Sequence, residues 1–442
     1  MTYRSCAANL GAAPILHGNM RSSAQKRRRA VLAATIGNTI EWYDFLVYSF
    51  MSVTIAKLFF PAGSELTSLF LSIATFGVGV AIRPIGAVAL GIYADRFGRK
   101  AALILTIFLM AAGTSMITVA PTYEVIGIWA PLLIVMSRLL QGFSCGGELG
   151  GATAILVENA PPERRGLYAS WQVASQAAAV LLAAAATMVV SIALTPAQLM
   201  AGGWRWPFAL GLLIVPVGLY VRSKLNEPEL FLMMRMNSPR VPIPETLRMG
   251  FGAMGTGIGI SVLFVASAYI LFLYMPTFAT RQLGMPLAQA VFASTVGAGV
   301  LFLLTPIMGT ISDRVGRKPM MLVGAVGFAL LAYPAFMLIT ASPGPASLAF
   351  VQSVFAILMA VYGAPMVAAL AELFPTRIRC TAVGLVYNLT VAFLGGTAQL
   401  IVTWLLAVTG NPLAPAFYVI AAAAPSAVVV FAMRDRFREP LT

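Results

Sequence analysis

The chain has 442 residues, 59% of them apolar and only 10% charged, and carries a formal net charge of +14. A soluble domain runs nearer ~45–50% apolar and ~25% charged, so length here counts membrane helices rather than soluble domains. The positive excess does not point to nucleic acid, because it is parcelled into separate short segments between apolar stretches.

Residues 1–29 form a basic tail that ends in Lys26 to Arg29. No small-residue cleavage site follows an uninterrupted apolar core, so a signal peptide is not expected. Met20 stands close enough to the basic cluster to be an alternative start. Twelve apolar runs then follow, near 30–58, 67–93, 101–120, 129–157, 167–194, 203–221, 250–276, 287–311, 320–341, 346–371, 381–406 and 413–433. A run of ~20 apolar residues spans a bilayer, and several of these are longer, which implies tilt or protrusion. The alternation of a barrel is absent, and lipid-exposed backbone must satisfy its own hydrogen bonds, so helices are expected.

Buried charge is costly in a membrane, so the few ionisable residues inside the runs are candidates for function. Run one holds Glu41 and Asp44, three apart and so on one helical face. Two neighbouring carboxylates in low dielectric resist double ionisation, which makes both candidate proton carriers. Run two holds Arg83, followed by Pro84, and leads into the turn Gly91-Ile-Tyr-Ala-Asp95-Arg96-Phe-Gly98-Arg99-Lys100. Run four carries Arg138, Gln141, Cys145 and Glu148 at intervals of three and four, a single polar stripe. Arg138 and Glu148 lie ~15 Å apart along that helix and are not direct partners. Two buried arginines, each offering a planar fork for carboxylates, suggest an anionic substrate; fixed ion pairs with Glu41, Asp44 or Glu148 are the structural alternative. The glycines of Gly142-Phe-Ser-Cys-Gly146-Gly147-Glu148-Leu-Gly150-Gly151 let helices approach closely, and Glu148 among them is expected to face a cavity or gate. On run five, Ser170, Gln172, Ser175 and Gln176 are spaced to line one side and to add hydrogen bonds to a carboxylate or hydroxyl.

The middle loop, 222–249, is the one sizeable polar connection. Its segment Glu227-Pro228-Glu229 to Arg235 reads as a Pro-initiated helix with acids in the first turn, tethering two halves. The second half has no charge deep in any run and offers Tyr269, Tyr274, Tyr333, Gln352, Tyr362, Asn388 and Gln399 instead. It also repeats the first. Gly309-Thr-Ile-Ser-Asp313-Arg314-Val-Gly316-Arg317-Lys318 restates the turn after run two. Glu158-x-x-Pro161-x-x-x-Arg165 recurs as Glu372-x-x-Pro375-x-x-x-Arg379 at nearly the same offset. Two motifs in one order mean a duplicated membrane domain, a recurring plan of secondary transporters. The fold class is therefore all-α integral membrane, twelve helices in two six-helix bundles related by pseudo-twofold symmetry. The bundles would occupy 30–221 and 250–433, with a short tail at 434–442.

With both termini in the cytoplasm, only Lys57, Arg205 and Arg281 fall outside, and Arg83 and Arg138 lie within helices. The remainder of the 29 Lys and Arg are on the inner side, as the positive-inside bias requires. Cys6, Cys145 and Cys380 are scattered without metal spacing, and no disulfide is expected. His17, the single histidine, sits in the tail, which excludes a buried histidine relay and a histidine metal site. No metal and no cofactor are expected. No nucleophile–base pair is evident, so an enzyme is not expected either.

Gly91-x-x-x-Asp95-Arg96-x-Gly98-Arg99-Lys100 resembles the loop 2–3 signature of the major facilitator superfamily. Glu41-Trp-Tyr-Asp44-Phe45, Arg83-Pro84-Ile-Gly86 and the stripe from Arg138 to Glu148 narrow the resemblance to the metabolite:proton symporters. That family includes carriers of citrate, 2-oxoglutarate, shikimate and proline/betaine. The resemblance covers roughly residues 28–435 and implies a central site between the bundles with alternating access. It also implies a cytoplasmic gate: Asp95, Arg96 and Arg99 with Asp313 and Arg317, joined by Glu158, Arg165, Glu372 and Arg379. Tyr168 to Gln176 and Met366 to Glu372 are most similar to the citrate and tricarballylate carriers, although Tyr362-Gly363-Ala364-Pro365 departs from their pattern. The short tail after Arg434 lacks the extended heptads of osmosensing betaine carriers.

The expected function is proton-coupled import of a small organic acid, a di- or tricarboxylate such as citrate, by a monomer in a bacterial inner membrane. Arg83, Arg138, Ser170, Gln172, Gln176 and Asn388 are the expected substrate residues, and Glu41, Asp44 and Glu148 the proton-coupling ones. The alternative substrates are a zwitterion of the proline/betaine type, or else shikimate or 2-oxoglutarate, and a non-transporting sensor is the alternative of another class.

Overall fold

The computed structural model describes the backbone of residues 15–97, 99–223 and 243–441. Side chains are described from Val31 onward, leaving aside 95, 96, 99, 214, 221, 222, 243–250 and 377. The gate side chains of Asp95, Arg96 and Arg99, and the helix expected near Glu227, lie outside the described residues.

The described residues are all helical in their regular structure, and form twelve spans. Span 1 is Ile15–Phe50 with Ser52–Phe59, span 2 Glu65–Ala81 with Arg83–Phe97, span 3 Arg99–Val119 and span 4 Trp129–Glu158. Span 5 is Arg165–Ala193, and span 6 runs from Pro196–Gln198 through a bend into Arg205–Ser223. Span 7 joins Ile243–Ala268, Tyr269–Tyr274 and Met275–Arg281. Spans 8, 9 and 10 are Leu287–Val315, Arg317–Ala341 and Pro345–Glu372. Span 11 joins Thr376–Thr390, Val391–Gly395 and Gly396–Thr409, and span 12 is Ala414–Ala432. Span 7 thus begins inside the stretch read from sequence as the middle loop.

Among the described residues nine helices are long and apolar enough to cross a membrane, and the bent pair Pro196–Gly203 with Arg205–Tyr220 makes a tenth. Spans 1 and 4 fall outside that set. They are the spans that carry Glu41 and Asp44, and Arg138 and Glu148, so the polar apparatus itself dilutes their apolar character.

The duplication is visible in the packing. Between the halves, span 2 packs on span 11 and span 5 on span 8; span 4 packs on span 11 and span 5 on span 10. Shifting each number by six turns one member of each pair into the other. Within the halves, span 3 packs on span 6 as span 9 packs on span 12.

Two local breaks shape the centre. Span 2 breaks before Pro84, whose ring has no N–H to donate and restricts the residue before it. Arg83 sits at that break. Tyr269–Tyr274 and Val391–Gly395 are π-helical, a geometry that often marks functional positions. The two π segments meet: a Cβ at Gly395 would come within 2.8 Å of the Tyr269 ring.

The glycine run of span 4 acts as the sequence suggests. A Cβ on Gly142 would lie 1.6 Å from the Gly79 carbonyl oxygen, so only glycine permits this approach of spans 2 and 4. Gly150 does the same across the halves, against the Cys380 carbonyl of span 11 at 2.2 Å.

Candidate functional site: a buried arginine pair beside two carboxylates

Arg83 and Arg138 are both buried, and Arg138 has no exposed surface. Span 1 supplies the rings that hold them. The Phe45 ring lies 4.4 Å from the Arg83 guanidinium carbon and 5.8 Å from that of Arg138. The Tyr48 ring lies 4.2 Å from Arg138. Phe45 packs edge-on against Phe76 at 5.6 Å, and the Tyr48 hydroxyl donates to the Ser72 carbonyl oxygen at 3.1 Å, so span 2 fixes both rings. Cation–π contact in a desolvated site is worth ~2 kcal/mol and leaves the guanidinium edges free for other bonds. At Arg138 none of the three nitrogens, Nε, Nη1 and Nη2, has a hydrogen-bond partner, and at Arg83 Nε has none. A buried charged donor without an acceptor is costly, and such groups in native proteins mark function.

The two carboxylates part company. Residues three apart on a helix point ~60° from one another. Glu41 lies in electrostatic range of Arg83, together with Tyr269, Tyr387 and Cys145, and Cys145 hydrogen-bonds it. Asp44 instead faces Arg138 and span 3, where Thr114 Oγ1 donates to its Oδ2. Gln141 Nε2 donates to Thr114 Oγ1 at 2.9 Å. Asp44 Oδ1 has no hydrogen-bond partner, and Asp44 makes no ion pair among the described residues. Each acid thus belongs to a different arginine, and the coupled pair expected from sequence is two separate acid–arginine couples.

The second half contributes phenols. Tyr269 and Tyr387 are buried beside Arg83; the Tyr269 hydroxyl has no hydrogen-bond partner, and that of Tyr387 meets Gln176. Trp42 meets Tyr269 edge-on at 6.0 Å. Of the other polar residues expected there, Tyr362 donates to the Ile260 carbonyl oxygen, Gln352 to that of Leu271, and Gln399 to Ser49. Tyr274 accepts from Thr403, and Tyr333 lies half out of the core at 40% exposure.

Several expected substrate residues are engaged in helix joints. Gln172 Nε2 donates to Asn38 Oδ1, and the Asn38 amide returns bonds to the Gln172 carbonyl and to Ser175 Oγ, riveting span 1 to span 5. Ser170 donates to the Leu167 carbonyl oxygen and packs where a Cβ on Gly309 would touch it. Asn388 gives both amide hydrogens to the carbonyls of Gly146 and Gly384, tying span 11 to span 4. Gln176 is the member of this group that adjoins Tyr387. Glu148 is buried near Cys145 in the same span. Tyr48, Thr114 and Tyr387 also belong to the site; the four-residue spacing of Phe45 from Glu41 and of Tyr48 from Asp44 is the sequence signal that sets both rings on the acids' face.

The end of the molecule that carries the repeated motifs is latched. Asp313 accepts the backbone N–H groups of Gly166 at 2.7 Å and Leu167 at 2.9 Å, at the N-terminus of span 5. A carboxylate there meets the positive end of the helix dipole. Arg317 bridges Asp313 at 2.9 Å and Glu372 at 3.1 Å. Arg379 pairs with Glu158 of the other half at 3.3 Å. Arg165, expected in the same cluster, donates to the Glu439 carbonyl oxygen at 2.8 Å. The opposite end is also bridged: Glu65 pairs with Lys57 at 3.2 Å and with Arg281 of the second half at 3.5 Å. Ser49 donates to the Leu273 carbonyl oxygen and Ser52 lies 3.3 Å from Thr277. The arginine pair therefore sits between two closed ends.

Comparison with known proteins agrees with this architecture. Residues 30–240 match the family described as sugar (and other) transporter, and residues 257–441 match the major facilitator superfamily. The citrate-proton symporter of Klebsiella pneumoniae is 35% identical over 399 residues, 90% of this chain and 90% of that protein. The proline/betaine transporter of Escherichia coli (strain K12) is 32% identical over 429 residues, 94% of this chain and 85% of its own. Among solved structures, the proton:xylose symporter XylE bound to 6-bromo-6-deoxy-D-glucose superposes with a TM-score of 0.79 at 19% identity, covering 95% of this chain and 98% of that one. The chain belongs to the major facilitator superfamily, and is one of its proton-coupled transporters.

Proposed function

We propose that the protein imports a small organic acid, a di- or tricarboxylate such as citrate, together with protons, by alternating access. Arg138 carries this reading: a fully buried guanidinium whose three nitrogens lack acceptors, held over the Tyr48 ring. A carboxylate supplies the missing acceptors in a bidentate geometry. Arg83 adds a second anchor at the break in span 2, with the Tyr269 and Tyr387 hydroxyls beside it. Asp44 is the proton carrier in this scheme, and the latch around Asp313, Arg317, Glu372, Glu158 and Arg379 closes the cytoplasmic side. Both termini then lie in the cytoplasm of a bacterial cell whose inner membrane holds the protein. Spans 1–6 and 7–12 rock about the central site.

The betaine relatives raise a zwitterionic substrate as the second reading, since Trp42, Phe45, Tyr48 and Tyr269, linked through Phe76, form an aromatic cluster of the kind that binds quaternary ammonium. Arginines already lie over Phe45 and Tyr48, which favours the anion. Counterflow of labelled citrate into proteoliposomes, with competing unlabelled citrate, tricarballylate, 2-oxoglutarate, shikimate, proline and betaine, tests the reading. Competition by tricarboxylates supports it; absence of citrate counterflow in vesicles that exchange labelled betaine or proline overturns it.

A further inference from the structure

Thr114 of span 3 has three partners around one hydroxyl. Its Oγ1 accepts from Gln141 Nε2, contacts Asp44 Oδ2, and lies 3.0 Å from the Met110 carbonyl oxygen one turn back. A hydroxyl owns one proton and two lone pairs. Gln141 occupies one lone pair throughout. A charged Asp44 can only accept, so Thr114 donates to Oδ2. With a proton on Oδ2, Asp44 becomes the donor into the second lone pair, and Thr114 turns its own proton to the Met110 carbonyl. Both arrangements use the same heavy-atom positions. We propose that Thr114 is a positioning residue of the proton site, a hydroxyl rotor that keeps Asp44 hydrogen-bonded in its charged and its protonated form.

The inference rests on the reading of Asp44 as proton carrier. The transported proton moves between water and Asp44 Oδ2, and Thr114 keeps its own. Other groups around Asp44 do not duplicate this role. Arg138 faces it from span 4 as a fixed charge, Glu41 and Tyr43 share its helix, and span 6 presents Gly211, where a Cβ would come within 2.7 Å of Oδ1. Without the rotor, one protonation state leaves a buried polar atom bare, which raises the barrier to loading or release.

The test is infrared difference spectroscopy of the full-length protein in nanodiscs between acid and alkaline pH, which needs no substrate. Asp44→Asn identifies the protonated carboxyl band by deleting it. In Thr114→Val, of similar shape but without the hydroxyl, that band shifts in frequency as its hydrogen bond is lost, and proton affinity changes by about five-fold or more. Thr114→Ser retains the rotor, and its band stays at the parental frequency with the parental titration. If the Asp44→Asn spectrum equals the parental one, Asp44 is not the carrier and the underlying reading falls. A Thr114→Val band at the parental frequency, or a Thr114→Ser band displaced like that of Thr114→Val, overturns the rotor while leaving Asp44 in place.

Discussion

Replacing Arg138 with lysine keeps the charge and discards what the structure builds around it. Two contributions are lost. The planar guanidinium lies 4.2 Å from the Tyr48 ring and 5.8 Å from Phe45, and a desolvated contact of that kind is worth ~2 kcal/mol. The fork of donors presented to an anion is the second; one charge-assisted hydrogen bond contributes ~1.5–3 kcal/mol. Lysine recovers part of the cation–π term, since its ammonium also sits over rings. The remaining loss of about 2–3 kcal/mol is roughly a thirty- to hundred-fold weaker affinity at about 1.4 kcal/mol per decade. The expected result is a KM for the transported acid raised by about that factor, at parental protein levels, in initial-rate counterflow with proteoliposomes. Arg138→Ala is expected to be inactive. Arg281→Lys is the control: its partner Glu65 is 69% exposed, and solvated pairs contribute ~0–1 kcal/mol. An Arg138→Lys protein that binds the acid as tightly as its parent refutes the reasoning, and moves the carboxylate contact to Arg83.

Asp44→Asn is expected to lose accumulation driven by a proton gradient while retaining exchange of labelled for unlabelled substrate, both read in the same vesicles; parental accumulation assigns the proton to Glu41 or Glu148. Asp313→Asn removes the charge that holds the span 5 N-terminus and Arg317, so the motif end opens more often. Alkylation of Cys380, half-buried beside Gly151, should then speed up several-fold, and an unchanged rate removes Asp313 from the latch. The tail after Met433 also crosses this end. Asp435 accepts the Lys318 backbone N–H at 2.9 Å and Arg165 reaches Glu439, so truncation there should raise Cys380 labelling by about ten-fold or more, the equivalent of one charged hydrogen bond. Labelling at the parental rate assigns the tail no part in closure.

The fold was largely legible because bilayer physics leaves little choice: apolar runs must be helices, and two motifs at one offset announce duplication. Arg83, Arg138, Glu41 and Asp44 were legible for the same reason, since charge inside an apolar run is conspicuous. Pairing was not. Sequence spacing put Glu41 and Asp44 on one face, but the azimuth between them sends one to Arg83 and the other to Arg138. Ser170, Gln172 and Asn388 looked like ligands because polar residues in apolar helices are scarce; in the folded chain backbone carbonyls and Asn38 take their donors. Thr114 and Tyr387 went unnoticed because a hydroxyl in a helix usually bonds its own i−4 carbonyl, and nothing local distinguishes one that also meets a carboxylate. The tail's contacts were not legible for another reason. Its anchors on Lys318 and Arg165 lie more than a hundred residues away, and one of them is a backbone N–H.

Coupling follows from the placement of one acid against one arginine. In the proposed cycle a charged Asp44 competes electrostatically with the substrate for Arg138. A proton on Asp44 removes that competitor and leaves the guanidinium with unbalanced charge and free donors, so the acid binds better. Linkage makes the effect mutual: an anion on Arg138 must favour the charged Asp44 less than before, and so holds the proton in place. Neither ligand alone neutralises the site, and a buried site with uncompensated charge is a poor substrate for closure. Asp44 and Arg138 are joined through Thr114 and Gln141, which stands one turn from Arg138 on span 4. Movement of the proton is therefore felt on the helix that carries the substrate anchor. Among the described residues the second half sets no acid beside the arginine pair; it offers the phenols of Tyr269 and Tyr387, and the ion-paired latch at its motif end. In the proposed cycle, proton and charge chemistry thus reside in spans 1 to 4, while spans 7 to 12 supply the surface against which the loaded site closes.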